Sequence, residues 1–304
     1  MPGALRTYVR VKVPATTANL GSGCDCLSLA LNLYNTVTVG LSGAGLVISV
    51  HGEGKGQIPE DGSNLVWQAV KRLWGKCGFP VPPGVMITLE NGIPVAAGLG
   101  SSAAAIIGGL TAANIIAGDR FSAHEILTLA TALEGHPDNI TAAFFGGLTV
   151  VVAEENGLKW LKIPVDPGLQ AVAAVPDFQI STKDARIALP QSYRREDALY
   201  NVGRAALLVG AFASKRYELL SSAMQDRLYQ PYRASLVPGL GRVVEAAVKA
   251  GAFGAALSGA GPAVVAIAGG NTDAIGAAMM EAFRGAGINA RVFTLAADNH
   301  GAGE

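Results

Sequence analysis

Apolar and polar residues alternate with a period of two in YVRVKVP (8–14), TVTVGL (36–41), LVISVHG (46–52) and VMITLE (85–90), and each stretch predicts a strand with one buried face. The period then lengthens to that of a helix. SNLVWQAVKRLWG (63–75) offers Ser63 or Asn64 as its cap and ends at glycine. Ser122 followed three residues later by Glu125 predicts a capping box for a helix over 123–133. Strands return at 146–154 and 158–165, and the turn Asp166-Pro167-Gly168 marks a boundary before a fresh strand at 169–176. Beyond it the pattern predicts helices around 192–226 and 239–250, strands near 253–258 and 262–268, a helix over 273–285 opened by Thr272, and a last strand over 288–296. No regular βαβ repeat emerges. The fold class is therefore α+β, with an N-terminal domain over 1–166 and a C-terminal domain over 167–304.

Charge narrows the partners. Lys plus Arg and Asp plus Glu both number 23, so no basic field draws nucleic acid. Two uncharged stretches, 91–118 and 250–272, exceed the roughly 20 residues that a bilayer span needs. Pro94 and several glycines interrupt the first, and Gly259, Gly261 and Pro262 the second, so each reads as loop plus buried element and no membrane partner is expected. The N-terminal MPGALRTYVR lacks the apolar centre of a secretory signal, which makes the cytoplasm the expected location. Cys24, Cys26 and Cys77 are an odd count that suits a reducing compartment. Cys24-Asp25-Cys26 lacks the spacing of a redox dithiol and reads better as small buried fillers.

The chemistry concentrates in PVAAGLGSSAAA (94–105). Glycines let backbone N–H groups approach a ligand, and the helix that follows adds unpaired N–H donors and a partial positive charge. Together they make a cradle for phosphates. A glycine-bearing helix start packed close to its neighbours fits the same residues. The loop lacks the lysine of a Walker A motif. It does match GxGxxA at Gly98, Gly100 and Ala103, with Asp119 further on, which leaves a nicotinamide-dependent oxidoreductase as an alternative. Against that, residues 91–95 separate the glycines from the strand that a dinucleotide turn would follow directly.

With VPATTANLGSGCDCLSLALNLYN (13–35), EGHPDN (134–139) and GAFGAALSGAGPA (251–263), the loop resembles the GHMP kinase superfamily. STKDAR (181–186) and QPYR (230–233) point within it to the branch that phosphorylates homoserine. The resemblance implies an N-terminal domain like ribosomal protein S5 domain 2, a ferredoxin-like C-terminal domain, ATP and L-homoserine as substrates, Mg²⁺, and a homodimer. It also implies an ATP site formed by Asn64, by Pro94, Ala97, Gly98, Leu99, Gly100, Ser101, Ser102, Ala103 and Ala104, and by a closing turn with Gly259 and Gly261. Ser102 and Glu134 would hold the metal. Asp25 and Asn19 would take the substrate ammonium, Arg186 and Arg233 its carboxylate, and Thr182 and His136 would complete the pocket. Asn139 would orient the hydroxyl, with Asp138 and then His136 as alternatives for a base.

Each residue also has a plainer role open to it. The arginines could pair with surface carboxylates, and residues 136–139 could form an Asx turn. Three positions depart from the family pattern: Cys24 and Ser28 replace the usual phenylalanine and glycine, and Ala97 stands where many relatives carry a basic residue. Another small-molecule kinase of the same fold, or an ATP-binding regulator without catalysis, remains open from the sequence.

Overall fold

The computed structural model describes residues 6–41, 43–155 and 157–303, so the first five residues of the N-terminal MPGALRTYVR lie outside it. The first sheet uses β1 (Tyr8–Asn19), β2 (Gly23–Leu41), β3 (Gly45–Gly52), β4 (Gly84–Asn91), β5 (Leu148–Glu154) and β6 (Gly157–Ile163). Its order is β3-β4-β2-β5-β6, with β1 paired to β2. Four helices belong with it: α1 (Leu65–Cys77), α2 (Ser101–Ile116), α3 (Ala123–Glu134) and α4 (Asp138–Phe145).

β1 and β2 run well past their alternating stretches. Residues 13–19 are buried without interruption, because α2 and α4 cover them and the turn at 258–261 closes over the end. A strand covered on both faces loses its period-two signal. The register with β2 shifts at Pro14/Ala15 and again at Ala18/Asn19.

α2 sits at the centre of the domain. Of its 16 residues only a few reach the surface, and its contacts run to β1, β2, α1, α3 and α4. That explains an uncharged stretch long enough to imitate a membrane span: the apolar solvent is the protein's own core. A Cβ on Gly108 would meet Val37 Cγ2 at 2.5 Å, so the helix lies directly on the sheet. Among the described residues no helix is long and apolar enough to cross a membrane.

The second sheet joins β7 (Gln170–Pro176), β8 (Gly254–Leu257), β9 (Val264–Ala268) and β10 (Ala290–Ala296) in the antiparallel order β10-β7-β9-β8. That is the 4-1-3-2 order of a ferredoxin-like unit. Between β7 and β8 run α5 (Thr182–Ile187), α6 (Arg195–Ser214), α7 (Leu220–Ala223), α8 (Gln230–Arg233) and α9 (Leu240–Lys249), and α10 (Thr272–Arg284) precedes β10. The expected helix over 192–226 is broken, since Lys215 adopts φ 58° and ends α6. Thr272 is the first helical residue of α10, and Asn271 rather than Thr272 forms its cap. The short helices α4, α5 and α8 escaped the periodicity, being too brief to show a stripe.

After β10 the chain returns to the first domain. Ala302 N donates to Ala143 O (3.0 Å) and Gly303 N to Phe144 O (2.9 Å), which satisfies the open carbonyl end of α4. The opposite end of α4 carries the HPDN residues. The tail of the chain thus steadies the helix that presents them.

Candidate active site

A cleft of about 400 Å³ lies between the two sheets. The glycine loop forms one wall. Gly98 and Gly100 have φ 82° and 74°, in the left-handed region, and neither has room for a side chain. A Cβ on Gly98 would sit 2.3 Å from Ser258 O, and one on Gly100 would sit 2.0 Å from Thr16 Oγ1. The loop is bonded to its surroundings at each step: Thr16 N to Leu99 O (3.0 Å), Ala263 N to Ala97 O (3.1 Å), and Ser258 Oγ to Gly98 O (2.6 Å). With its carbonyls turned away into these bonds, the loop leaves its amides for a ligand. Ala104 N is bonded to Gly100 O, so the amides of residues 101–103 precede the first intrahelical bond of α2.

The lining is narrower than the sequence suggests. Gly98, Gly100, Ser101, Ser102, Gly259 and Gly261 face the cleft, and so does the nearly buried Ala97. Leu99, Ala103 and Ala104 do not, because their side chains are fully buried in the core, and Pro94 lines a neighbouring cavity. Asn64 lines the cleft, yet its amide is committed: Oδ1 caps α1 at Val66 N (2.9 Å) and Nδ2 donates to Pro59 O (2.6 Å). Its contribution is to hold residues 59–65 in place beside the loop.

Ser102, at the start of α2, and Glu134, at the end of α3, meet across the cleft. Ser102 Oγ donates to Glu134 Oε1 at 2.5 Å. A hydroxyl and a carboxylate so placed are hard oxygen donors of the kind Mg²⁺ takes together with phosphates and water, so the pair fits the metal. Among the described residues no group of three or more acidic, histidine or cysteine side chains is placed to hold a metal ion by itself. Next along the chain, His136 Nδ1 lies 2.7 Å from Asp138 Oδ1 and its Nε2 lies 3.8 Å from Glu134 Oε1. Burial alone would lower the His136 pKa, but the Asp138 hydrogen bond and the two carboxylate charges outweigh it and the net shift is upward. Asp138 is buried and already accepts from Asn139 N (2.8 Å). Asp138 and Asn139 are thus the first residues of α4, and His136 and Pro137 lead into it.

The acceptor side draws on both domains. Asp25 and Arg186 face each other loosely, with Nη2 3.4 Å from Oδ1 and both side chains nearly half exposed. Asn19 serves the backbone at both ends: Oδ1 accepts from Asp25 N (2.9 Å) and Nδ2 donates to Gly259 O (3.1 Å). Arg233 is 4 % exposed and donates through Nε to Ala185 O (3.1 Å) and through Nη1 to Gly259 O (2.9 Å). Both bonds go to backbone carbonyls, and the N–H groups left on Nη1 and Nη2 are those it can offer a ligand. Thr182 opens α5 and also lines the cleft. Cys24 and Cys26 are free, and burial above all raises their pKa values to about 12 and about 11. They are protonated fillers beside the site.

Known proteins resemble this chain. The family model "GHMP kinases N terminal domain" matches residues 64–147, and "GHMP kinases C terminal" matches residues 208–285. The chain is 45% identical over 97% of its length to a homoserine kinase of Desulfitobacterium hafniense, covering 99% of that protein, and equally identical to one of Carboxydothermus hydrogenoformans, covering 96%. The chain belongs to the GHMP kinase family. A crystal structure of homoserine kinase from Cytophaga hutchinsonii superposes with a TM-score of 0.88 at 30% identity, covering 98% of this chain and 97% of that one.

In a GHMP kinase the reaction is phosphoryl transfer from ATP to an alcohol. That removes the dinucleotide reading of Gly98 to Ala103, and the geometry agrees, since residues 92–100 intervene between β4 and α2. Phosphoryl transfer asks the protein mainly to position and to neutralise charge. Mg²⁺, held by Ser102 and Glu134, would supply part of that neutralisation. The open amides at the start of α2 would add fixed dipoles. Sequence reasoning missed Thr16 and Thr17: the Thr16 hydroxyl bonds Asn139 Oδ1 and its N–H holds Leu99 O, while the Thr17 hydroxyl meets Ser258 Oγ in the closing turn. TTAN (16–19) held the signal, as two adjacent hydroxyls in a fully buried strand need partners.

Proposed function

We propose that this kinase transfers the γ-phosphoryl group of ATP to the side-chain hydroxyl of L-homoserine, giving the O-phospho-L-homoserine of threonine biosynthesis. The carrying observation is the charge layout of one cleft. Ser102 and Glu134 stand beside the glycine loop, while Asp25, Arg186 and Arg233 line the other side. An amino acid with a terminal alcohol needs that set: an anion for its ammonium, guanidinium for its carboxylate, and a route for its hydroxyl to the phosphate. The curated relatives bear the same name over nearly the whole chain.

The Asp25–Arg186 pair supports a partner exchange. An incoming ammonium replaces the guanidinium at Asp25, and Arg186 turns to the carboxylate. The loose pair costs little to open, being nearly half exposed. Arg233 then adds its remaining N–H groups and holds Gly259 in place. Asn139 orients the hydroxyl. Mg²⁺ at Ser102 and Glu134, a cytoplasmic location and a homodimer belong to the same proposal.

A coupled ADP assay across homoserine, threonine, serine, mevalonate and galactose tests it. The expected result is turnover with homoserine at least tenfold above every other alcohol, abolished by EDTA and restored by Mg²⁺. Preferred turnover of mevalonate or galactose, or ATP binding without turnover of any alcohol, contradicts it.

A further inference from the structure

Thr16 touches both halves of the reacting centre from inside the core. Its side chain is fully buried. Its backbone N–H donates to Leu99 O at 3.0 Å, so β1 holds the middle of the glycine loop. Its hydroxyl lies 2.7 Å from Asn139 Oδ1. Gly100 packs on the same oxygen, leaving no room for a Cβ between them.

Elementary donor and acceptor chemistry fixes the direction of the Thr16–Asn139 bond. A carboxamide has one accepting end and one donating end, whereas an ionised carboxylate only accepts. Asp138 Oδ1 lies 3.5 Å from Asn139 Nδ2 and already accepts from Asn139 N. Turning the carboxamide over would set oxygen against carboxylate oxygen and waste an N–H on the hydroxyl. Oδ1 therefore faces Thr16, and Thr16 donates. With Oδ1 occupied in this way, Asn139 presents N–H to the cleft that it lines.

We propose that Thr16 is a positioning residue for phosphoryl transfer, acting through Asn139: its hydroxyl locks the carboxamide so that a donor, not an acceptor, meets the reacting oxygens. A donor there holds a lone pair of the acceptor alcohol or the negative charge gathering on the phosphoryl oxygens. Because Thr16 also holds Leu99 O, one residue sets the spacing between the phosphate loop and the group that orients the acceptor. The kinetic part of this proposal rests on the homoserine kinase reading, whereas the orientation of the carboxamide does not.

Four variants of the full chain test it: Thr16→Val, which keeps shape and removes the hydroxyl, Thr16→Ser, which restores it, Asn139→Ala, and the Thr16→Val/Asn139→Ala pair. Thr16→Val is expected to lower kcat about 10- to 100-fold, the scale of a misplaced reacting group, with KM for ATP changed less than threefold. Thr16→Ser should stay within about threefold of the parent in kcat. The double variant should be no slower than Asn139→Ala alone, because both changes remove one function. In ¹H–¹⁵N spectra the Asn139 side-chain amide, assigned by its loss in Asn139→Ala, should shift in Thr16→Val and keep its place in Thr16→Ser. An unmoved amide signal in Thr16→Val overturns the proposal, as do additive losses in the double variant. If the parent turns over no alcohol at all, the functional reading fails while the amide signal still decides the orientation.

Discussion

The wall that carries the glycine loop keeps its shape through backbone, with Gly98 and Gly100 in left-handed conformations and their loop's carbonyls bonded to β1 and the 258–263 turn. The acceptor side is made of side chains from β2, α4, α5 and α8, and its Asp25–Arg186 pair is loose and nearly half exposed. A backbone cradle cannot be retuned by small changes, and it suits a ligand common to every family member. A ring of side chains can be exchanged residue by residue, which suits the part of the substrate that distinguishes one kinase from another. The difference also predicts how each side fails: the first through the fold and the nucleotide together, the second through KM for the acceptor alone.

Gly98→Ala attacks the rigid side most directly. The new Cβ would meet Ser258 O at 2.3 Å in a backbone region that itself costs about 1–3 kcal/mol for a non-glycine residue. ATP-dependent turnover should fall more than 100-fold, with a lowered Tm in a thermal melt. Glu134→Gln keeps shape and removes the charge that faces Ser102. It should lower kcat by roughly 10²–10³-fold, the scale of a lost electrostatic stabiliser, with Tm within a few degrees of the parent.

On the adaptable side, Arg186→Ala should raise KM for homoserine about 10- to 100-fold in steady-state assays and leave KM for ATP within threefold, because the residue belongs to the acceptor wall. An equal rise in both constants would erase the distinction between the walls. Asn64→Ala removes the α1 cap, so unfolding in urea should show a loss of about 1 kcal/mol, with KM for ATP altered through the 59–65 segment. The smallest effect concerns the thiols. Burial pushes Cys24 and Cys26 to about 12 and about 11, so both stay protonated below pH 9 and a thiol reagent at pH 8 should leave them unlabelled in the native protein. Their labelling, read by mass spectrometry, would rise only with unfolding or well above pH 10.

Much of this was legible in the chain. The α+β class and the capping box at Ser122 follow from pattern and local chemistry, and the structure contains both. What escaped has physical causes. β1 beyond Pro14 is buried residue after residue, so no polar face records its period. α4 is too short to show one and is held by the tail of the chain, more than 150 residues later in sequence. In the site, residue types could name Asp25 and Arg186 as candidates, but not that they would face each other. Nor could they show that Arg233, Asn19 and Asn64 have bonded much of their polar capacity to backbone. Leu99, Ala103 and Ala104 sit inside a motif whose outward members contact the ligand space, and only packing separates the two sets.

The central claim is that one cleft presents a triphosphate on open amides and an amino acid's alcohol beside it. A crystal structure with a non-hydrolysable ATP analogue, Mg²⁺ and L-homoserine tests this most directly. The account predicts phosphates against the amides of residues 98–103, the metal between Ser102 and Glu134, and the amino acid's ammonium at Asp25 with Arg186 swung to its carboxylate. A nucleotide bound away from Gly98 and Gly100, or an amino acid held with Asp25 still paired to Arg186, would contradict it.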